Sequence, residues 1–329
     1  MEQENQIEKR IERLKQRLKA IPAGIMLLPL LLGSLLYTVW PQALEIGSYT
    51  TALFSSAGAA TLMALQLFCI GTQIRLAKLS GVLKRGGVLL LSRAVAGLAA
   101  VLLFRLFAKD GLIAGISVLA AVAAFSNTNG SIFIASASML NDEEAAASAP
   151  FLALSNGPFL TALILGVSGA ASFSWLSLLA LVFPMLLGVL IGNISGRAAR
   201  LFAPGVALTL PFIGFALGAG IDLRQLWLGG VSGLLLAFGA LTIGGIIALL
   251  FDRIINRRSG AAGIAASATG ANSIAVPAAL ALTNPEWLAV SAAATAQIGA
   301  AVIVGAIIVP ILANWWERAA KKKEKVPNE

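Results

Sequence analysis

Long apolar runs, separated by short charged or turn-forming segments, dominate the chain. Ten can be marked, near residues 21–40, 51–73, 86–107, 112–140, 146–170, 173–194, 201–221, 229–251, 260–282 and 288–314. A helix needs about 20 apolar residues to cross a bilayer's hydrocarbon core. The pattern therefore predicts an all-α integral membrane protein with ten transmembrane helices. The fourth and ninth runs are interrupted by polar and small residues. Ahead of the first run, Ile7, Ile11, Leu14, Leu18 and Ile21 recur at steps of four and three among Glu, Lys and Arg. That stripe predicts an amphipathic helix over 1–20 lying on the cytoplasmic membrane surface. Without an apolar stretch, the segment does not read as a secretory signal.

Charge then sets the orientation. With the N-terminus placed in the cytoplasm, 20 of the 24 Lys and Arg residues fall on that side. They are the basic residues of 9–19, Arg75, Lys78, Lys84, Arg85, Arg197, Arg200, Arg253, Arg257, Arg258 and those of the tail after 317. The opposite side receives Arg105, Lys109 and Arg224, and Arg93 stays inside a span. Such asymmetry predicts both termini in the cytoplasm and an even number of spans. The net charge of +9 is thereby assigned to membrane topology, and nucleic acid is not expected as a partner.

The chain also repeats itself. Phe68-Cys69-Ile70-Gly71 with Ile74 and Leu76 matches Phe215-Ala216-Leu217-Gly218 with Ile221 and Leu223 at a constant offset of 147. Asn129-Gly130-Ser131-Ile132 in the fourth run resembles Asn272-Ser273-Ile274 in the ninth. Two five-span halves follow, 21–170 and 171–316, with a basic cytoplasmic tail over 317–329. Five is odd, so the second half enters the membrane from the other side, an inverted repeat typical of secondary transporters.

The paired interruptions are the candidate site. Ser126, Asn127, Thr128, Asn129, Gly130 and Ser131 sit inside an otherwise apolar run, and Thr269, Gly270, Asn272 and Ser273 sit inside its partner. Asn, Ser and Gly weaken helical bonding, and unwound backbone at membrane depth must be surrounded by protein or line a water-filled cavity. A helix restarting after such a break presents free N–H groups and a partial positive charge, which suits a carboxylate. Asn156 and Gln297 are further candidates for the cavity wall. Arg93 is expected either to hold exposed helix C-terminal carbonyls or to meet a substrate carboxylate.

Composition narrows the chemistry. With no His, a single Cys at 69 and no acid placed within a span, there is neither a metal-ligand cluster nor a nucleophile–base pair. A membrane enzyme is not expected, no cofactor is required, and no charged ring or polar stripe marks a channel. A small anionic solute and membrane lipid are the expected partners. The sequence leaves a homo-oligomer open.

From Ile21-Pro22-Ala23-Gly24 onward the chain resembles the 2-keto-3-deoxygluconate permease family. The resemblance is carried by Phe68-Cys69-Ile70-Gly71, Thr128-Asn129-Gly130, Ser155-Asn156-Gly157-Pro158, Pro211-Phe212, Phe215-Ala216-Leu217-Gly218 with Ile221-Asp222-Leu223, and Gly260 through Ser267. It implies uptake of 2-keto-3-deoxygluconate across the bacterial inner membrane with protons. It also implies a ten-span fold like that of bile-acid transporters and sodium/proton antiporters, in which a core domain with crossed, broken fourth and ninth spans moves against a panel domain. The family pattern has acidic residues where this chain has Ser126 and Asn156. Proton or sodium thus remain the candidate coupling ions. The alternative is a carrier for another small organic anion or a nucleoside, running as a uniporter or on sodium.

Overall fold

The computed structural model describes residues 24–79, 82–155, 157–172, 175–220 and 223–324. The amphipathic helix expected over 1–20 lies outside them, as does Asn156. The described chain is helical apart from one small hairpin. In order, it forms α1 (Gly24–Val39), α2 (Ser48–Phe54), α3 (Ala59–Gln73), α4 (Leu76–Leu79), α5 (Leu83–Phe107), the hairpin strands β1 (Leu112–Ile113) and β2 (Ile116–Ser117), α6 (Val118–Ser126), α7 (Gly130–Met139), α8 (Glu143–Ala147), α9 (Ala149–Ala153) and α10 (Pro158–Val167). There follow α11 (Trp175–Ile194), α12 (Gly196–Phe202), α13 (Gly205–Gly218), α14 (Leu223–Gly239), a π-turn (Ala240–Gly244), α15 (Gly245–Ile254), α16 (Ala261–Ala266), a 3₁₀ turn (Ala271–Ala275), α17 (Val276–Thr283) and α18 (Leu288–Glu324).

Four described helical stretches are long and apolar enough to cross a bilayer, namely Leu83–Phe107, Gly196–Gly218, Gly230–Ile254 and Pro285–Lys322. The pair α2 and α3, bent by 59°, makes a fifth. Burial follows lipid rather than water. On α5, Leu91, Leu98 and Leu102 point outward, while Gly86, Ala96, Gly97 and Ala100 are buried. Small residues let backbones approach, the usual way helices pack where lipid removes the hydrophobic drive between them. This is an all-α, multi-pass membrane protein.

Glycine fixes two helix pairs. α1 packs on α13, where a Cβ on Gly33 would lie 2.3 Å from Phe215 O and one on Gly218 would lie 2.0 Å from Leu30 O. α3 packs on α11 in the same manner, with Gly71 against Met185 O at 2.1 Å and Gly188 against Phe68 O at 2.1 Å. No side chain fits at these contacts. α3 also packs on α13, and the four helices form one layer. The short helices α2 and α12 pack on this layer, and α5, α7, α10, α15, α17 and α18 pack on α6, α16 or their continuations.

Several runs depart from the sequence reading; the second and fifth, for example, are divided among shorter helices. The fourth run becomes helical at Val118 rather than 112, because Ala114 and Gly115, with φ of 49° and 77°, close a two-residue hairpin loop between β1 and β2. Both central residues of a type I′ turn need positive φ. Ser117 then caps α6 by accepting from Ala120 N–H. The eighth run carries the π-turn where it passes Arg93; a Cβ on Gly244 would sit 3.3 Å from Arg93 Nη1. The tenth run continues unbroken past 314 to Glu324.

Candidate functional site

The two interruptions meet. α6 ends at Ser126, and Asn127 is extended with φ −94° and ψ 140°. α16 ends at Ala266, and Gly270 is extended with φ −65° and ψ 136°. Between them Thr128 and Thr269 form an antiparallel β-bridge. Asn129 N–H donates to Ala268 O at 2.7 Å, and Thr128 Oγ1 donates to Ala266 O at 2.9 Å. Thr269 Oγ1 donates to Ala124 O at 3.4 Å. Each break therefore supplies partners for backbone groups that the other leaves without helical bonds, as a low-dielectric interior requires. The approach is close enough that a Cβ on Gly270 would lie 3.1 Å from Thr128 O.

Beside the crossing lies a cavity of about 710 Å³, within the roughly 300–1,000 Å³ usual for small-molecule sites. The crossing contributes Thr128, Asn129, Gly130, Ala271 and Asn272. The opposite wall is Ile70, Gln73, Ile74 and Arg75 at the end of α3, with Val206 and Leu210 of α13. Ala146, Ala147 and Pro150 complete the lining. Asn129 caps α7, its Oδ1 accepting from Ile132 N–H at 3.2 Å. The beginnings of α7 and of the 3₁₀ turn leading into α17 thus both border the cavity.

Not every residue of the breaks faces it. Ser126 and Asn127 are fully buried behind the crossing, where Asn127 Nδ2 donates to Thr161 Oγ1 at 3.2 Å and Ser126 Oγ lies 3.2 Å from the same hydroxyl. Ser273 is buried, its hydroxyl donating to Gly270 O. Thr269 and Gly270 are committed to the bridge. Ser131 stands in the first turn of α7. Gln297 lies away from the cavity on α18, donating to Gly115 O at 2.8 Å and Ser232 Oγ at 3.1 Å. Arg93 also does not line the cavity. It is wholly buried, with Nη2 at 3.5 Å from both Ala124 O and Asn127 O, the carbonyl end of α6. Its positive charge opposes the partial negative charge of that helix end.

Gln73 and Arg75 were not among the expected site residues. Arg75 is the only charged side chain among the described residues lining the cavity. Its Nη1 donates to Gly192 O, and Gln73 Nε2 donates to Ala199 O at 2.9 Å. Gln73 was detectable as an amide closing an apolar run, whereas Arg75 is indistinguishable in sequence from any cytoplasmic flanking charge.

Broken helices crossing beside a largely apolar cavity that carries a few convergent polar groups, in a bundle whose outer face is built for lipid, define a membrane transporter. The fold is that of the sodium proton antiporter MjNhaP1 from Methanocaldococcus jannaschii, to which the chain is similar with a TM-score of 0.52 and 16% identity over 91% of this chain and 97% of that one. The family model described as 2-keto-3-deoxygluconate permease matches residues 15–322. Similar relatives include the 2-keto-3-deoxygluconate permease of Xanthomonas axonopodis pv. citri, 40% identical over 93% of this chain and 98% of the relative. 2-keto-3-deoxygluconate permease 1 of Salmonella typhimurium is 36% identical over 95% and 97%. The chain belongs to the 2-keto-3-deoxygluconate permease family, whose members are transporters rather than enzymes.

Proposed function

We propose that the protein carries 2-keto-3-deoxygluconate across the bacterial inner membrane by alternating access, with the sugar acid bound at the crossing of the two broken helices. The names of the relatives supply the solute. The observation that carries the reading is that Thr128, Asn129, Gly130 and Asn272, drawn from both breaks, line one cavity. The substrate carboxylate is placed at the start of α7 and of the 3₁₀ turn, where helix N-termini favour negative charge. The amides of Asn129, Asn272 and Gln73 are placed against its hydroxyls.

Ten spans in two inverted halves suit this reading. The Gly33–Gly218 and Gly188–Gly71 contacts pair α1 with α13 and α11 with α3, as two halves related by inversion would. The layer of α1, α3, α11 and α13 is the panel, and the helices around the crossing are the core. A second cavity of about 440 Å³, lined by Tyr37, Ala59, Leu217, Ala278 and Leu288 among others, lies toward the far ends of the same helices. Met63, Ile213 and Ile274 stand between the two cavities in sequence on their respective elements, and all belong to one buried apolar cluster. That cluster is the proposed seal, and the larger cavity is the proposed cytoplasmic-facing vestibule, since Arg75, one of the charges assigned to the cytoplasmic side, lines it.

The second reading is carriage of the anion without a cavity carboxylate to bring a proton. It is favoured by a lining that, among the described residues, holds Arg75 and no acid. Proteoliposomes test both. Saturable uptake of 2-keto-3-deoxygluconate is expected, and accumulation driven by an acid pulse or a sodium gradient identifies the coupling ion. Absence of sugar-acid uptake under any gradient would overturn the proposal.

A further inference from the structure

We propose that a basic groove at the Arg-rich end of the bundle binds the headgroup phosphate of an anionic membrane lipid. The groove encloses about 610 Å³ between the segment after α15 and the end of α18. Arg253, Arg257 and Arg258 line one side, and Trp315, Trp316 and Ala319 line the other. The two sides are tied together by Trp316 Nε1, which donates to Ser259 O at 2.8 Å.

Charge pairing inside the groove is incomplete. Arg258 is neutralised by Glu144. Arg253 and Arg257 make no ion pair among the described residues. Two unpaired guanidiniums at one groove offer forked N–H donors that match phosphate oxygens. Arg257 has φ 56°, a left-handed conformation that a bulky side chain rarely adopts. Such outliers concentrate at ligand clamps, where surrounding structure holds them.

A lipid fits this groove better than a free anion. Exposed apolar side chains flank the groove on both helices: Ile254 follows Arg253 on α15, and Ile311 lies one turn before Trp315 on α18, each more than 60% exposed. An amphiphile with its tails on these side chains places its phosphate beside the arginines. Trp residues favour this depth, at the boundary between headgroups and hydrocarbon.

The test uses the purified full chain in detergent, titrated with dioleoyl-phosphatidylglycerol, dioleoyl-phosphatidylcholine or inorganic phosphate and read by native mass spectrometry. Phosphatidylglycerol is expected to bind more tightly than phosphatidylcholine. Arg253→Gln combined with Arg257→Asn should weaken phosphatidylglycerol about 30-fold, at the usual attraction per basic residue near an anionic surface, and weaken phosphatidylcholine, whose choline cation offsets its phosphate, by less. Asn is chosen because it tolerates the left-handed backbone. If the double variant does not fold, Arg253→Gln alone should show about a 5-fold loss. Equal binding of the two lipids by the parent, or an undiminished preference in the folded variant, would overturn the site. Displacement of phosphatidylglycerol by millimolar inorganic phosphate would overturn its assignment to lipid.

Discussion

Replacing Asn129 by Asp separates the two tasks that this residue performs. Its Oδ1 caps α7 through Ile132 N–H, and the residue lines the large cavity. Asp has nearly the same shape and caps helices as well as Asn. Its charge adds about 0.3–1 kcal/mol of favourable interaction with the helix N-terminus. Thermal stability in detergent should therefore hold or rise slightly. The bound sugar acid, in contrast, meets a second carboxylate. At a separation of about 5 Å the repulsion is about 3 kcal/mol at an effective dielectric of about 20, and under about 1 kcal/mol in bulk water. A half-open cavity lies between those limits, so Kd should rise by a factor between about 4 and about 250. Isothermal titration with 2-keto-3-deoxygluconate at pH 7.5 reads the effect. Lowering the pH toward the ordinary Asp value of about 4 should neutralise the new carboxylate and restore binding. Asn129→Ala is the complement: it loses the cap, at a cost of about 0.5–2 kcal/mol, without adding charge. A folded Asn129→Asp protein that binds the sugar acid as tightly as the parent at pH 7.5 would refute placement of the substrate carboxylate beside α7.

Other consequences follow from the same contacts. Gly71→Ala and Gly218→Ala each force a Cβ to about 2 Å from a carbonyl oxygen of the neighbouring helix, so the helices must part; a loss of about 1–3 kcal/mol is expected, and an unchanged thermal midpoint would contradict the packing. Arg93→Leu removes the guanidinium from the Asn127 carbonyl and leaves Ala124 O with Thr269 Oγ1 alone, which should cost about 1–3 kcal/mol of stability. The folded fraction should keep its affinity for the sugar acid, because Arg93 does not line the cavity. Burial works against the charge of Asp142, but hydrogen bonds from Arg85 at 2.7 and 2.5 Å and from Ala145 N–H outweigh it and hold its carboxyl below the usual range. Its contribution is therefore complete above the unfolded value of about 4 and lost as pH falls through the lower folded value. Asp142→Asn should lower the melting temperature at pH 7 and have progressively less effect as pH is lowered below about 4.

The sequence carried the breaks because polar and small residues inside an apolar run have few physical outlets. Asn129 and Asn272 mark helix restarts that border the cavity. It could not show which side chains of a break face inward. Ser126 and Asn127 are as polar as Asn129, yet their partner is Thr161, some 35 positions away on α10. The late start of α6 was hidden for a related reason. Leu112 and Ile113 are apolar enough to extend a span, and only the positive φ of Ala114 and Gly115 turns them into a hairpin. The π-turn at Ala240–Gly244 has no compositional mark at all, since it arises where the helix passes the buried guanidinium of Arg93. Arg75 was read as a topological charge, and its place at the cavity wall depends on how α3 ends against α11.

The most direct probe is a thiol placed at the crossing. Cys69, the chain's one cysteine, is buried at 2% exposure, so Asn272→Cys in a Cys69→Ala background gives a single reporter. In inside-out vesicles, a membrane-impermeant maleimide should label that position, and saturating 2-keto-3-deoxygluconate should slow the labelling. An introduced thiol that never reacts from the cytoplasmic face, or that reacts at the same rate with and without the sugar acid, would contradict a solute site where the two helices break.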